Sequence, residues 1–375
     1  MLKGIHLTLL IGPAVPVPAP QFVVDALDSV QVNHDKERSG FQLTFAAGKN
    51  SPLLTTMLPV GYLDPIVTRV IIIVTLNGFP NVLMDGIVTR QEVAPSSEPG
   101  QSKITVTGED LSVLMDVIQI VRPYPAIPDV GKVMLALAPY AAFGVIPLVI
   151  PPILTVVDIP TERIESQTMS TDREYIRGLA QRCGYIFVVD PGPAPGTSIA
   201  YFGPDVSLPI PQAALSINMD ANSNVESMSF SLDGLAKKVR IYIVLDPFTK
   251  KIPIPIPLPN INAFKPPLGA RPTPPAKVEF ASDVAQQRPD EAARGILGFL
   301  MNNAEAISAN GSLDVLRYGQ ILRARMLVGV RGAGLAYDGM YYVNSVTHSI
   351  KRGEYKQNFT LSRDGLISLT PRVVP

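Results

Sequence analysis

The sequence holds a single cysteine, Cys183, no tryptophan and three histidines in 375 residues. One cysteine excludes an intrachain disulfide and a cysteine-based metal site. It fits a reducing compartment. His6, His34 and His348 are far apart in sequence, with no i,i+4 pair and no H-E-x-x-H context. No metal and no cofactor is therefore expected. The missing tryptophan removes the usual sugar-stacking side chain. Charge is scarce as well. Asp, Glu, Lys and Arg make up 17% of the chain, where an average domain has about 25%. Lys plus Arg and Asp plus Glu number 32 each, so the net charge is zero. Bulk electrostatics thus gives no reason to expect nucleic-acid recognition or attachment to a membrane surface. A surface poor in charge is instead suited to being covered by partners.

Apolar residues are plentiful at 46%, and 37 prolines with 28 glycines imply many short elements. At roughly 150 residues per domain, the length predicts two to three domains. Two apolar stretches need a decision. Lys3 precedes the run Leu7–Val17, but His6, Gly12 and Pro13 interrupt it and no A-x-A site follows. A cleaved signal peptide is not expected. Residues 133–157 carry no charge and could span a bilayer by length. Pro139, Pro147, Pro151 and Pro152 remove backbone donors there, and unpaired backbone in lipid is costly. The expectation is a buried helix end followed by a Pro-broken connection, with no stable membrane insertion.

The expected fold class is α+β, mainly β: two related β-barrel domains, an α/β domain between them, and a Pro-rich and helical insertion. Residues 1–108 read as the first barrel. Phe41, Leu43 and Phe45 alternate with polar neighbours. Val70–Leu76 is a strand buried on both faces. Asn77-Gly78 is the turn of a hairpin. Residues 109–203 read as α/β. Asp110 caps a helix with apolar positions Leu111, Leu114, Met115 and Ile118. A second helix starts after Asp129. A third has the capping box Thr171 and Glu174, with Cys183 on its buried stripe. Strands Tyr185–Val189 and Ser198–Phe202 follow. Residues 204–250 and 310–375 read as the second barrel, including strands at 227–232 and 238–245. Residues 251–309 are the insertion. Its alternating prolines from Ile252 to Pro259 suit an extended or edge segment but not a central strand. A helix near Pro289 carries Ile296, Leu300, Ala304 and Ile307. Three strands close the chain at 322–331, 340–350 and 355–363. Tyr342, Asn344, Val346 and His348 are expected on one face of the middle strand.

The search for chemistry is nearly empty. Gly329, Gly332 and Gly334 have the wrong spacing and context for a dinucleotide fingerprint. Neither a phosphate-binding loop nor a nucleophile elbow is present, and carboxylates are too scattered for a glycosidase pair. No catalytic residue is assigned. Lys351, Arg352 and Lys356 crowd the last hairpin and are candidate partner contacts.

The tail resembles a known family. Arg317-Tyr-Gly319, Arg331-Gly-Ala-Gly334, Tyr337-Asp-Gly339, Tyr341-Tyr-Val343, Ser345-Val-Thr-His348 and 355–363 are similar to the end of the phage late control protein D family. Thr171-Asp-Arg-Glu-Tyr-Ile176, Tyr185–Val189, Tyr201-Phe-Gly203 and Ser39–Phe45 are similar to it too. That family includes baseplate hubs of contractile phage tails, the hub half of type VI secretion spike proteins, and hubs of extracellular contractile injection systems. The resemblance implies a non-enzymatic homotrimer with two barrels per chain. It would assemble in the cytoplasm into an injection particle, meeting a hexameric inner tube, a trimeric spike and other baseplate components. The spike would be a separate chain. The alternatives are a β-rich hydrolase acting on cell-envelope polysaccharide, and a membrane-associated protein using residues 133–157.

Overall fold

Alternation of apolar and polar residues builds most of the chain, as a computed structural model shows. The structure describes all residues except 1–3, 37, 99–100, 155–164, 206–207, 246–252, 260–264, 266, 282–288, 302–304 and 370–375. The fold is α+β and mainly β. Strands β1 (Ile5–Pro13), β2 (Leu27–His34), β3 (Ser39–Ala46), β4 (Thr68–Leu76), β5 (Phe79–Ala94) and β6 (Lys103–Asp110) form the first barrel-like unit. Phe41, Leu43 and Phe45 are buried, as their alternation predicts. In β4 only Thr75 escapes full burial. Asn77 and Gly78 have φ of 52° and 88°, the pair of positive values that a tight hairpin requires.

The next region is α/β. The Asp110 carboxylate accepts from the Ser112 N–H at 2.8 Å and caps a 3₁₀ turn, Leu111–Asp116. The turn is shorter than the helix expected there, and Ile118 is 68% exposed rather than buried. Helix α1 (Asp129–Leu137) begins where expected. Strand β7 (Val145–Val149) forms where Pro147 and the prolines around it argue for a connection. It pairs parallel to a later strand at a sheet edge, where a missing N–H is tolerated. Helix α2 (Asp172–Cys183) has the full capping box of Thr171 and Glu174. Strands β8 (Tyr185–Pro191) and β9 (Ser198–Pro204) complete a small sheet in the order β8-β9-β7. Leu111, Met115, Val133, Ile176, Leu179 and Phe202 belong to its core, and Cys183 lies on it as a buried thiol. Burial pushes that thiol up to about 11, which disfavours the thiolate form a nucleophile needs.

Strands β10 (Leu208–Ser216) and β11 (Ser227–Leu232) return to barrel character. The strand expected at 238–245, β12 (Lys238–Leu245), does form, but outside the barrel. It is the centre of a separate sheet, between β13 (Pro253–Pro259) and β14 (Lys277–Ala281). The alternating prolines of β13 thus sit on an edge strand, as their missing donors demand. Helix α3 (Pro289–Met301) ends before Ile307, which opens β15 (Ile307–Asp314) instead of lying on the helix face. Helix α3 leans on α2. A Cβ on the α2-capping Gly184 would lie 2.7 Å from the Gly298 backbone. The chain closes with β16 (Met326–Arg331), β17 (Gly339–Lys351) and β18 (Glu354–Arg363).

Among the described residues, thirteen strands share one sheet, in the main order β11-β15-β18-β17-β2-β3-β6-β5-β4-β1, with the two-residue strand Val17–Pro18 beyond β1 and with β16 and β10 branching from β17. Strand β17 is the joint. Its first part pairs with β16, from Val328↔Tyr341 to Val330↔Gly339, and its second with β2 of the other barrel, from Val346↔His34 to Lys351↔Ser29. A bulge between Val343 and Ser345 shifts the register. Tyr341 and Val343 therefore enter the core before it, and Val346 and Ile350 after it. Tyr342, expected on the face of Val346 and His348, is buried on the opposite side, where its hydroxyl donates to Asp205 at 2.5 Å. A bulge flips the phase in this way because strand side chains alternate.

The two barrels share one packing device. In each, an aromatic ring covers a cross-strand glycine: Phe41 over Gly108, and Phe359 over Gly311. A Cβ on Gly311 would lie 2.6 Å from both the Phe359 ring and the Ser227 carbonyl oxygen, and one on Gly108 is as crowded by Phe41 and Ile87. Gly108→Ala and Gly311→Ala should each destabilise by roughly 1–3 kcal/mol. Phe359→Ala should cost about 3–5 kcal/mol. Gly178→Ala, in α2 with nothing within 4 Å of its would-be Cβ, should gain up to about 1 kcal/mol. Denaturant unfolding of the four variants checks the signs.

Candidate functional site

Two rows on the outer face of the joined sheet carry no charge. Following the register across strands, Ser227, Ser312, Asn358, Thr347 and Asn33 form one row. Ser229, Asn310, Thr360 and Ser345 form the next. Ser349, Gln31, Gln42 and Thr107 carry the polar pattern onto the first barrel, in a row that ends in Lys356 and Asp314 on one side and Arg90 on the other. The opposite face of these strands is the hydrophobic core. Side chains on the outer face bond to one another across strands. Ser227 and Ser312 hydroxyls meet at 2.8 Å, Thr360 donates to the Asn310 side-chain amide oxygen Oδ1 at 3.0 Å, and Thr347 to Asn33 Oδ1 at 3.0 Å. The face is concave over the second barrel, with an open trough of about 450 Å³.

Charge gathers at one end of these strands, at the β17–β18 hairpin. Lys351 and Arg352 line a cleft of about 420 Å³ whose floor includes Ile5, Leu7, Leu27 and Ile350. The Arg352 guanidinium donates to the Asp25 carbonyl oxygen. Lys356 lies further along β18, pairing with Glu226 at 3.1 Å and Glu354 at 3.3 Å. Its hydrogen bonds to Glu226 and then Glu354 raise its pKa. Asp28, at the same end, pairs with Lys103 at 3.3 Å. The three basic residues singled out in the sequence thus form a mixed-sign rim with acidic neighbours, not a basic patch.

Sequence distance concealed one cluster. The β2–β17 pairing brings the His34 and His348 rings to a centroid distance of 5.4 Å, nearly perpendicular at 83°. The His348 Nδ1 lies 2.7 Å from the Tyr355 hydroxyl, and the His34 Nδ1 lies 3.2 Å from that of Ser39. Both rings border a cavity of about 420 Å³ with Asp190, Arg323 and Arg325 in its wall. Alternation could have placed His348 inward, but nothing in the sequence paired it with His34. Among the described residues no three His, Cys, Asp or Glu side chains gather as a metal site, and no helix is long and apolar enough to cross a membrane.

Burial holds both rings neutral. It lowers His34 from 6.5 to about 4, with Asp190 opposing and Arg325 assisting. It lowers His348 well below 6.5, helped by His34 and then Arg323. A base whose folded pKa is depressed is protonated preferentially in the unfolded chain. Its contribution is complete above pH 6.5 and is lost as pH falls from 6.5 through about 4. The melting temperature should fall across that window. His348→Gln should show a shallower fall, read by thermal melts at a series of pH values; parallel curves would remove the histidines from the account.

No family model and no curated protein matches the chain. Solved structures do. A tail protein from Neisseria meningitidis is 14% identical, with 96% of this chain and 97% of that chain covered and a TM-score of 0.59. The 43 kDa tail protein of prophage MuSo2 from Shewanella oneidensis is 12% identical, covering 95% of this chain and 97% of its own, at a TM-score of 0.58. An E. coli component of the type VI secretion system, described as structurally similar to T4 bacteriophage tail proteins, is 11% identical. It covers 93% of this chain and 77% of its own, at a TM-score of 0.52. The resemblance to tail hubs found in the sequence is borne out at the level of fold: this chain has the fold of phage tail proteins and of a type VI secretion component.

Proposed function

We propose that this protein is a structural, non-enzymatic hub of a phage tail-like injection particle, a homotrimer that joins a hexameric inner tube to a trimeric spike. The observation that carries the reading is the edge-to-edge joining of two barrel-like units through β2 and β17. Three such chains present six units to one side of a ring and keep threefold symmetry on the other. A trimer is thereby matched to a hexameric tube and to a trimeric spike without any change in the chain. The likeness to tail proteins over nearly the whole length supports it. So does the low charge, since surface kept from water by partners gains little from charge.

On this reading residues 1–108 are the first ring unit, 109–203 the α/β domain, and 204–250 with 310–375 the second unit, except for Lys238–Leu245, which pairs with the insertion. Residues 251–309 are the insertion. The mixed-sign rim of Lys351, Arg352 and Lys356 is a contact for the tube, the spike or another baseplate component. Charge alternation on a rim favours register and orientation over raw affinity.

Sedimentation of the purified chain, alone and with its spike, should show a trimer. A monomer that persists with tube and spike present would end the hub reading. Lys351→Glu with Arg352→Glu should melt within about 1 kcal/mol of wild type, because exposed charges contribute little to stability. The same pair should lower assembly yield. Normal assembly would remove the rim from the contact surface.

A further inference from the structure

We propose that the concave Ser/Thr/Asn/Gln face lines the passage through the ring, and that what moves along it is polypeptide. The inference rests on the hub reading above. A wall shared by both barrels, with its other face committed to the core, has one free side to offer. That side holds an open trough over the second barrel, and the sheet that carries it continues across the joint into the first. Its two central rows on the second barrel contain no Lys, Arg, Asp or Glu.

The chemistry of the wall selects the cargo. Nucleic acid is a uniform polyanion, held by Lys and Arg. A passage for it needs only to lack positive charge, and carboxylates would serve well. An extended polypeptide carries both charge signs and apolar side chains. A passage that does not trap it must lack positive, negative and apolar groups together. The two rows meet all three conditions. Ser227 with Ser312, Thr360 with Asn310, and Thr347 with Asn33 also satisfy one another. That leaves the wall fewer open hydrogen-bonding groups with which to hold a passing chain.

Two measurements on assembled particles test this, with Cys183→Ser as background. In the first, Asn358→Cys is treated with a small maleimide and with a large polyethylene-glycol maleimide. The free chain should react with both. The particle should admit only the small reagent. Equal reaction with the large reagent in particles would place the face outside the passage and overturn the inference, while leaving the hub reading intact. In the second, particles carrying Asn310→Leu with Asn358→Leu are triggered, and released protein and nucleic acid are both measured. Protein release should drop about tenfold, as one apolar trap of ordinary strength would produce, with particle yield unchanged. Unchanged protein release, or release of nucleic acid alone, would overturn the polypeptide assignment. If Asn310→Gln with Asn358→Gln assembles but the leucine pair does not, the face is a packing contact and the inference fails. If the wild-type chain is absent from particles, the hub reading itself fails.

Discussion

The antiparallel pairing of β2 with the second half of β17, from Ser29↔Lys351 to His34↔Val346, is the contact on which the rest depends. Without it each barrel would present a raw strand edge, a template for pairing with another chain. With it, the two edges satisfy each other inside one protomer. A single hydrophobic cluster then runs through both units, from Leu9 and Ile11 to Phe359 and Leu361. The bulge at Val343–Ser345 is what lets one strand serve two partners. It turns Tyr341 and Val343 toward one part of the core and Val346 and Ile350 toward the next.

Few charges exist, and many of those are spent inside as clasps between regions. Arg69 grips Asp85 with two bonds of 2.7 Å and reaches the Gly196 carbonyl at 3.1 Å, tying the first barrel to the α/β turn. Asp129, fully buried, is met by Lys132 and by Arg294 of α3, each at 3.1 Å. Asp205 meets Lys265 at 2.5 Å and takes the Tyr342 hydroxyl, with Lys36 at 3.9 Å. Burial alone would raise the Asp205 carboxyl, but Lys265 and Lys36 hold it below its usual range. Buried pairs of this kind add little over an apolar replacement, yet losing one partner is costly, so they fix geometry more than they add stability.

Local signals were legible where local physics decides. The Thr171–Glu174 box, the Asn77-Gly78 turn, the proline edge of β13 and the alternation in β3 and β18 all act within a few residues. The misses lie where distant partners decide. Val145–Val149 became a strand because Ser198–Phe202 lay ready beside it. Lys238–Leu245 left the barrel because two segments of the insertion paired with it. Tyr342 changed sides through one bulge. Of the candidate site, Lys351, Arg352 and Lys356 were visible as a crowded hairpin. Their acidic neighbours Asp25, Asp28 and Glu226 come from a short helix, another strand and a loop. The neutral face was invisible because it exists only across strands.

That face is not what stability alone would select. Asn33, Asn310 and Asn358 sit in strand interiors with exposed side chains, and asparagine is among the residues depleted from strands. Threonine or valine would pair better there. Lysine or glutamate would keep the edge soluble at little cost to the fold. The mutual hydrogen bonds of Asn310 with Thr360 and of Asn33 with Thr347 recover only part of the lost propensity. A residue choice that folding does not favour, repeated across neighbouring strands on one concave side, points to a demand made by what the surface meets. The core beneath these strands obeys packing, and the face above them obeys traffic.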